Sequence, residues 1–258
     1  MIDLHAHILP GLDDGPRTMA ESVALAEVLL AEGVTHAVAA PHMFDGVYEV
    51  PCDAVTAGVR DLRTQLARRG LPLHILPGAD VRVDPRVLEA ARSGQLLSIG
   101  AGERYLLLEL PDDILPPRLE QFLFDLQMAG LGPILTHPER NREVQARPGL
   151  LENLIHLGCF VQVSAQSLMG VFGQRTREAA CRIIAYRLAH LLASDCHDLV
   201  RRPPRMREAL AVAASLVGVA EAEAMVCGRP AAILAGDRLE VEELVEPADR
   251  RGSDLLVV

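Results

Sequence analysis

IDLHAH, residues 2–7, is a strand-like run that closes on two imidazoles, and the spacing of those imidazoles governs how the remaining chain is read. Residues two apart on an extended strand project from the same face, so His5 and His7 are placed to grip one ion. LLASDCH, residues 191–197, repeats the arrangement with Asp195 and His197. Between these ends, AVAAPH reaches His42, HILPGAD reaches Asp80, YLLLEL carries Glu109 and PILTH reaches His137. In a barrel of alternating strands and helices, the carboxyl ends of the strands converge on one face. These five histidines and three acids are therefore expected in one pocket. A His-x-His pair alone is a weak signal, because exposed or capping histidines are common. Glu109 strengthens it, since an unpaired carboxylate among leucines carries a heavy desolvation cost that a cation would offset. A buried salt bridge to an arginine is the alternative for Glu109.

Short β-branched or leucine-rich runs alternate with longer helix-period segments, the pattern of βα units around a parallel sheet. Strands are expected near 2–5, 35–40, 73–79, 105–110, 133–136, 159–164 and 190–194. Helices are expected near 18–32, 53–69, 84–93, 117–130, 149–157, 175–188, 204–217 and 221–227. Thr18 followed by Glu21 is a capping-box signature, which makes the first of these the best-marked helix. The count gives about seven βα units. No internal repeat is visible, and periodicity fades from about residue 236.

At 258 residues, half of them hydrophobic, the chain can bury a full core and suits one barrel as well as two small domains. It has no signal-peptide pattern and no apolar run near the roughly 18 residues that cross a bilayer, so a soluble, intracellular protein is expected. The five cysteines show no paired spacing, which argues against a disulfide framework and a zinc ribbon. All 25 basic residues are arginine. Without lysine, Schiff-base chemistry and a Walker-type phosphate loop are excluded. A formal charge of −10 with no basic tract argues against nucleic-acid binding, although a locally positive site can still hold an anion.

Nitrogen and oxygen donors without thiolates suit manganese, zinc or iron. Eight side chains are too many for one tetrahedral ion, so a cluster of two or three divalent ions is implied. Such ions would outweigh the charges of Asp80, Glu109 and Asp195 and leave a pocket attractive to a phosphate dianion.

The segments IDLHAHILPGLDDGP, AAPHMFDGVY, PGADV, YLLLELP, PILTHPERN, CFVQVSAQSLMGVFG, LLASDCHD and RRPPRM, in this order from residue 2 to about 207, closely resemble the CpsB/CapC tyrosine-protein phosphatases. These belong to the polymerase and histidinol phosphatase (PHP) superfamily. The resemblance implies an α/β fold, a single distorted (β/α)7 TIM-like barrel of the PHP type. The barrel is expected over residues 2–235, and the loss of periodicity with the charged stretch EPADRRGSD leaves 236–258 as a C-terminal tail, expected to be partly mobile. The resemblance further implies a trinuclear site, usually manganese, that dephosphorylates tyrosine on a capsule or exopolysaccharide autokinase; a cytoplasmic location, no nucleic-acid partner and no membrane insertion are expected from the composition and hydropathy above. The ligands carried over are His5, His7, His42, Asp80, Glu109, His137, Asp195 and His197, and Arg140 and Arg202 match arginines that handle phosphate. Position 80 is commonly glutamate in the family, and Met43 replaces a common second histidine.

The chemistry expected is direct attack by a metal-bridging hydroxide, without a phosphoenzyme. Arg140 and Arg202 would each offer a bidentate fork to phosphate, and Asp14 in the GLDDG loop is a candidate for positioning or proton transfer, or for capping a turn. Cys196 and Arg202 satisfy the Cys-x5-Arg spacing of thiolate phosphatases, but so do Cys181 and Arg187 within an expected helix, and neither has a glycine-rich phosphate loop. His36, His74, His156 and His190 are left outside the site, while Gln162 and Ser164 face either its mouth or a hydrogen-bonded interior. The alternatives are a PHP-type phosphatase for a small ester such as histidinol phosphate, an amidohydrolase, or a nonenzymatic metal-stabilised kinase-binding module.

Overall fold

The computed structural model describes residues 1–102 and 104–239. Its strands are β1 (Ile2–Ala6), β2 (His36–Ala39), β3 (His42–Met43), β4 (His74–Pro77), β5 (Asp80–Arg82), β6 (Tyr105–Glu109), β7 (Gly132–Thr136), β8 (Phe160–Ser164) and β9 (Leu191–Ala193). The helices are α1 (Met19–Ala31), α2 (Cys52–Arg68), α3 (Arg86–Arg92), α4 (Leu119–Met128), α5 (Arg142–Ala146), α6 (Leu150–His156), α7 (Ala165–Leu168), α8 (Gln174–Ala185), α9 (Met206–Val217), α10 (Val219–Glu223) and α11 (Arg229–Ala235). All seven expected strand runs are present, and β3 and β5 are additional short strands lying just past the ends of the expected runs 35–40 and 73–79. Every ladder between these strands is parallel.

The architecture is mixed α/β with two parallel sheets, β1-β2-β4 and β3-β5-β6-β7-β8-β9. It does not form one continuous seven-stranded ladder. The reason lies at the breaks: Ala40–Pro41 and Gly78–Ala79 interrupt two strands just before His42 and Asp80. Single hydrogen bonds, Ala40 N–H to Ala6 O (3.0 Å) and Asp80 N–H to Pro41 O (3.0 Å), cross there. Between β9 and β1 the contact is an isolated parallel bridge, Ala6 with Cys196, flanked by Asp195 N–H to His5 O (2.9 Å) and His7 N–H to Cys196 O (3.0 Å).

Local signals explain the helices. Thr18 caps α1, its side chain accepting from Glu21 N–H while Glu21 accepts from Thr18 N–H (3.2 Å), which satisfies donors otherwise orphaned at a helix start. The expected helix at 221–227 is instead α10 running into a π-helical turn, Ala224–Gly228. Short α5 and α7, and α11 with Pro230 in its first turn, lacked a periodic stripe long enough to be read.

Buried apolar residues fall into two clusters. The larger, including Leu25, Leu29, Leu62, Leu108, Val161 and Ile183, lies between strands and helices. The smaller joins Leu4, Val38, Leu107, Ile134 and Leu191, each preceding the site residue of its own strand run, to Ile233 of α11. An apolar floor thus lies beneath the polar end of the sheets. The segment after α11 continues against Tyr105, whose hydroxyl donates to Asp237 O (2.7 Å) and accepts from Leu239 N–H (2.9 Å). The rest of the expected tail, 240–258, lies outside the described residues. Among the described residues, no helix is long and apolar enough to cross a membrane.

The seam between α11 and the loop before β6 leaves no room for a side chain at Gly100. Its φ is +88°, and a Cβ there would stand 2.1 Å from Ile233 O. Gly100→Ala is expected to lower stability by more than about 1 kcal/mol, read as a lower urea midpoint with an unchanged m-value. An unchanged midpoint would show that this seam does not contribute to folding.

Candidate metal centre

The strand register sets the first neighbours: His42 lies opposite Asp80 between β3 and β5, and Glu109 lies opposite Arg82 and Thr136. His5 belongs to β1, His7 follows it, His137 follows β7, and Asp195 and His197 follow β9. All eight expected ligands converge. Asp80 Oδ2 sits 3.6 Å from His5 Nε2, 3.7 Å from His42 Nδ1 and 3.6 Å from His137 Nε2. Asp195 Oδ1 lies 3.8 Å from His5 Nε2 and 3.6 Å from His7 Nε2, while Glu109 Oε2 lies 3.8 Å from His42 Nδ1. Four overlapping sets of donor atoms result, each within 4.8 Å of one another: His5–His7–Asp80, His5–His137–Asp195, His42–Asp80–Glu109 and His7–Asp14–His42–His197.

Asp14, the candidate for positioning, proton transfer or capping a turn, stands where a ninth donor would. Its Oδ1 is 3.1 Å from His197 Nε2 and 3.6 Å from His42 Nε2. Partial burial pushes its pKa up, but the His197 hydrogen bond and the charges of His197, His42 and Arg202 outweigh this and hold the carboxyl well below the usual range. A carboxylate that is ionised near neutral pH has no proton to give.

Whether these residues fit metal ions can be tested on the atoms left unpaired. His42 Nδ1, Asp80 Oδ2 and His137 Nε2 are buried, aim into the cluster and have no hydrogen-bond partner. Buried polar atoms without partners are costly and uncommon, and a cation among them would engage all three. Burial also keeps His5, His7 and His137 well below the ordinary imidazole pKa, and brings His197 to about 4. The rings are therefore neutral near pH 7, the state in which imidazole nitrogens bind metals. The donor set fits divalent cations.

Several groups hold the donors in place. Thr136 donates its hydroxyl to Asp80 Oδ1 (2.8 Å), leaving Oδ2 to face the three histidines. His137 and Asp195 adopt left-handed backbone, φ 34° and 51°. Such conformations cost on the order of 1–3 kcal/mol each and concentrate at functional sites. Gln162 reaches His5 Nδ1 with its amide (2.9 Å), and Ser164 donates to Asp195 Oδ2 (3.3 Å), so both strand residues do face the site.

Three further residues were missed in the sequence. Asp13 is buried beside exposed Asp14, and its Oδ2 is 2.6 Å from His7 Nδ1 and accepts from His42 N–H (3.2 Å), while Oδ1 accepts from Gly15 N–H (3.0 Å). With Nδ1 so occupied, His7 presents Nε2 to the cluster, as metal-ligating histidines with carboxylate partners do. Arg82 Nη1 lies 3.2 Å from Glu109 Oε2, so the salt-bridge alternative for Glu109 is realised alongside its place in the cluster. Burial, then the Asp80 charge, raises the Glu109 pKa to about 7 against the opposing pull of His42 and Arg82. Thr136 is the third.

Arg140 and Arg202 both reach the site, as expected. Arg140 pairs with Asp195 Oδ2, and Arg202 Nη2 donates to Asp195 Oδ1 (2.8 Å). Cys196 is buried, with its thiol pKa pushed up by desolvation and by Asp3, so it offers no accessible thiolate. His36, His74, His156 and His190 stay outside the donor sets, as read. A solvent-open cleft of about 790 Å³ leads away from the cluster, lined by Asp14, Arg17, Tyr48, His197, Leu199 and Arg201.

Comparison with known proteins places this geometry. Residues 1–235 match the family described as "Capsular polysaccharide synthesis, CpsB/CapC". The chain is 38% identical over 212 residues to tyrosine-protein phosphatase YwqE of Bacillus subtilis (strain 168), covering 82% of this chain and 83% of the relative. It is 33% identical over 208 residues to the putative tyrosine-protein phosphatase CapC of Staphylococcus aureus, covering 81% of each. It also superposes with a TM-score of 0.87 and 33% identity on a crystal structure from work on YwqE from B. subtilis and CpsB from Streptococcus pneumoniae, described as unique metal-dependent tyrosine phosphatases. That match covers 95% of this chain and 100% of the other.

The role of Asp13 can be measured without an activity assay. Asp13→Ala is expected to weaken manganese binding about 10- to 100-fold in a direct titration followed by the spectroscopic signal of free Mn²⁺. Unchanged affinity would mean that the His7 ring is oriented by its packing alone.

Proposed function

Because this chain belongs to the CpsB/CapC capsular polysaccharide synthesis family, we propose that it is a metal-dependent phosphatase that hydrolyses phosphotyrosine in protein. The observation that carries this is the convergence of unpaired imidazole and carboxylate atoms from strands across the fold, flanked by two arginines aimed at the same place. His5, His7, Asp14, His42, Asp80, Glu109, His137, Asp195 and His197 would hold two or three divalent ions, manganese foremost, with zinc or iron also suited to the donor types. When bound, such ions supply charge neutralisation and a water nucleophile of lowered pKa.

The chain's own residues do the rest. Arg140 and Arg202 already share the two oxygens of one carboxylate, Asp195, and the same forks suit two oxygens of a phosphate. Cys196 is buried and protonated, so it is not placed as a covalent carrier, and the sequence contains no lysine. These observations favour direct displacement by water, with no phosphoenzyme. Asp14, ionised, gives no proton to the leaving oxygen. A phenol, with a pKa of about 10, leaves without a strong general acid far more readily than an alkoxide does. A tyrosyl leaving group therefore places the smallest demand on a proton donor at this site.

The open cleft supports a polypeptide substrate over a small ester such as histidinol phosphate, which an enclosing pocket would bury. The full donor set speaks against a nonenzymatic module. On this reading the substrate is a tyrosine-phosphorylated segment of a bacterial capsule or exopolysaccharide autokinase, met in the cytoplasm. Residues 2–235 form one catalytic unit, a distorted (β/α)7 barrel of the PHP type.

Two experiments test this. A phosphotyrosyl peptide and histidinol phosphate are assayed after chelation and after manganese is restored, alongside Cys196→Ser. Peptide hydrolysis is expected to vanish with chelator, return with manganese and change little in the serine variant. Activity that survives complete metal removal but disappears in Cys196→Ser would overturn the mechanism. Separately, His137→Ala is expected to cut kcat/KM at least about 100-fold, about 2.7 kcal/mol, while the thermal midpoint moves only a few degrees. Unfolding of that variant at ambient temperature would point to a structural metal.

A further inference from the structure

We propose that Phe172 is a positioning residue that gathers the guanidiniums of Arg140 and Arg202 into one phosphate-binding fork, a role that rests on the phosphatase reading above. The two arginines arrive by different routes: Arg140 ends a short turn after β7, and Arg202 lies in the loop between β9 and α9. Their guanidinium carbons nevertheless lie 3.9 and 5.3 Å from the centroid of the same ring, that of half-buried Phe172 between α7 and α8.

Two like charges brought this close repel; Asp195 meets each arginine through one terminal nitrogen, and Arg202 Nη1 also lies 3.6 Å from Asp14 Oδ2. The carboxylate holds one edge of each guanidinium. An aromatic face carries negative partial charge and attracts cations most strongly where water is excluded. With side chains only 16% and 19% exposed, both arginines meet that condition. Arg140 Nε and Arg202 Nε are buried and have no hydrogen-bond partner. Asp195 thus anchors the pair, the ring sets their planes, and two unpaired donors are left for the oxygens of an arriving phosphate. Pre-set planes matter because a bidentate fork binds only when both N–H vectors meet both oxygens.

The test measures binding of inorganic phosphate to the manganese-loaded protein by calorimetry, and steady-state hydrolysis of p-nitrophenyl phosphate. Phe172→Leu keeps bulk but removes the charged face of the ring, and Phe172→Tyr restores it. The leucine variant is expected to bind phosphate about 10-fold more weakly, about 1.4 kcal/mol, and to raise KM by a similar factor with kcat within about threefold. Its manganese content and thermal midpoint should match wild type, and the tyrosine variant should bind phosphate within about twofold of wild type. In an Arg140→Ala background, the same leucine change should cost less than about threefold, because ring and guanidinium act as a unit. Phosphate binding as tight as wild type in Phe172→Leu, or an undiminished effect when Arg140 is absent, would overturn the positioning role. Failure of the wild-type protein to bind phosphate at all would instead sink the phosphatase reading, and this proposal with it.

Discussion

The structure depends on the cost of burying lone pairs with nothing to satisfy them. His42 Nδ1, Asp80 Oδ2 and His137 Nε2 are removed from water at the carboxyl ends of strands without gaining a protein partner. A fold retains such atoms only if other interactions offset the loss or a cation restores it. Both apply here. The apolar floor of Leu4, Val38, Leu107, Ile134 and Leu191 fixes the strands beneath the cluster, so that the donors cannot relax towards solvent. The order of the ligands along the chain then matters little, since parallel strands bring their ends together whatever their separation in sequence.

The surrounding polar groups serve that constraint in different ways. Thr136 and Asp13 each take one side of a donor and leave the other side bare. Left-handed backbone at His137 and Asp195 turns two ligands inward at a conformational cost that the adjacent hydrogen bonds must overcome. Arg140, Arg202 and Arg82 meanwhile place positive charge beside Asp195 and Glu109. A protein of net charge −10 thereby keeps a pocket whose local character suits an anion.

The strand-end donors were legible in the sequence because their pattern requires only that apolar runs become strands and that those strands lie parallel. His5, His7, His42, Asp80, Glu109, His137, Asp195 and His197 all followed from that. What was not legible depends on geometry below the level of pattern. Asp13 and Asp14 are chemically identical neighbours, and only the turn that directs Gly15 N–H and His42 N–H at Asp13 decides which one is buried behind His7. Arg82 meets Glu109 through the β5–β6 register, which no single segment encodes. Short α5 and α7 lack a periodic stripe. β3 and β5 went unread too, because two- and three-residue strands lying beyond Pro41 and Gly78, residues that interrupt ladders, carry no apolar run of their own.

Asp80, one methylene shorter than a glutamate would be, shows how the fold presents a short donor to the cluster. The shorter side chain cannot reach across the cluster as a flexible arm. Instead β5 begins at Asp80 itself, its N–H is tied to Pro41 O, and Thr136 fixes Oδ1, so Oδ2 stands between three imidazoles without using side-chain freedom. Holding one carboxylate rotor costs less conformational entropy when it has one fewer torsion to freeze. The backbone sets the reach of this donor, which is held preorganised.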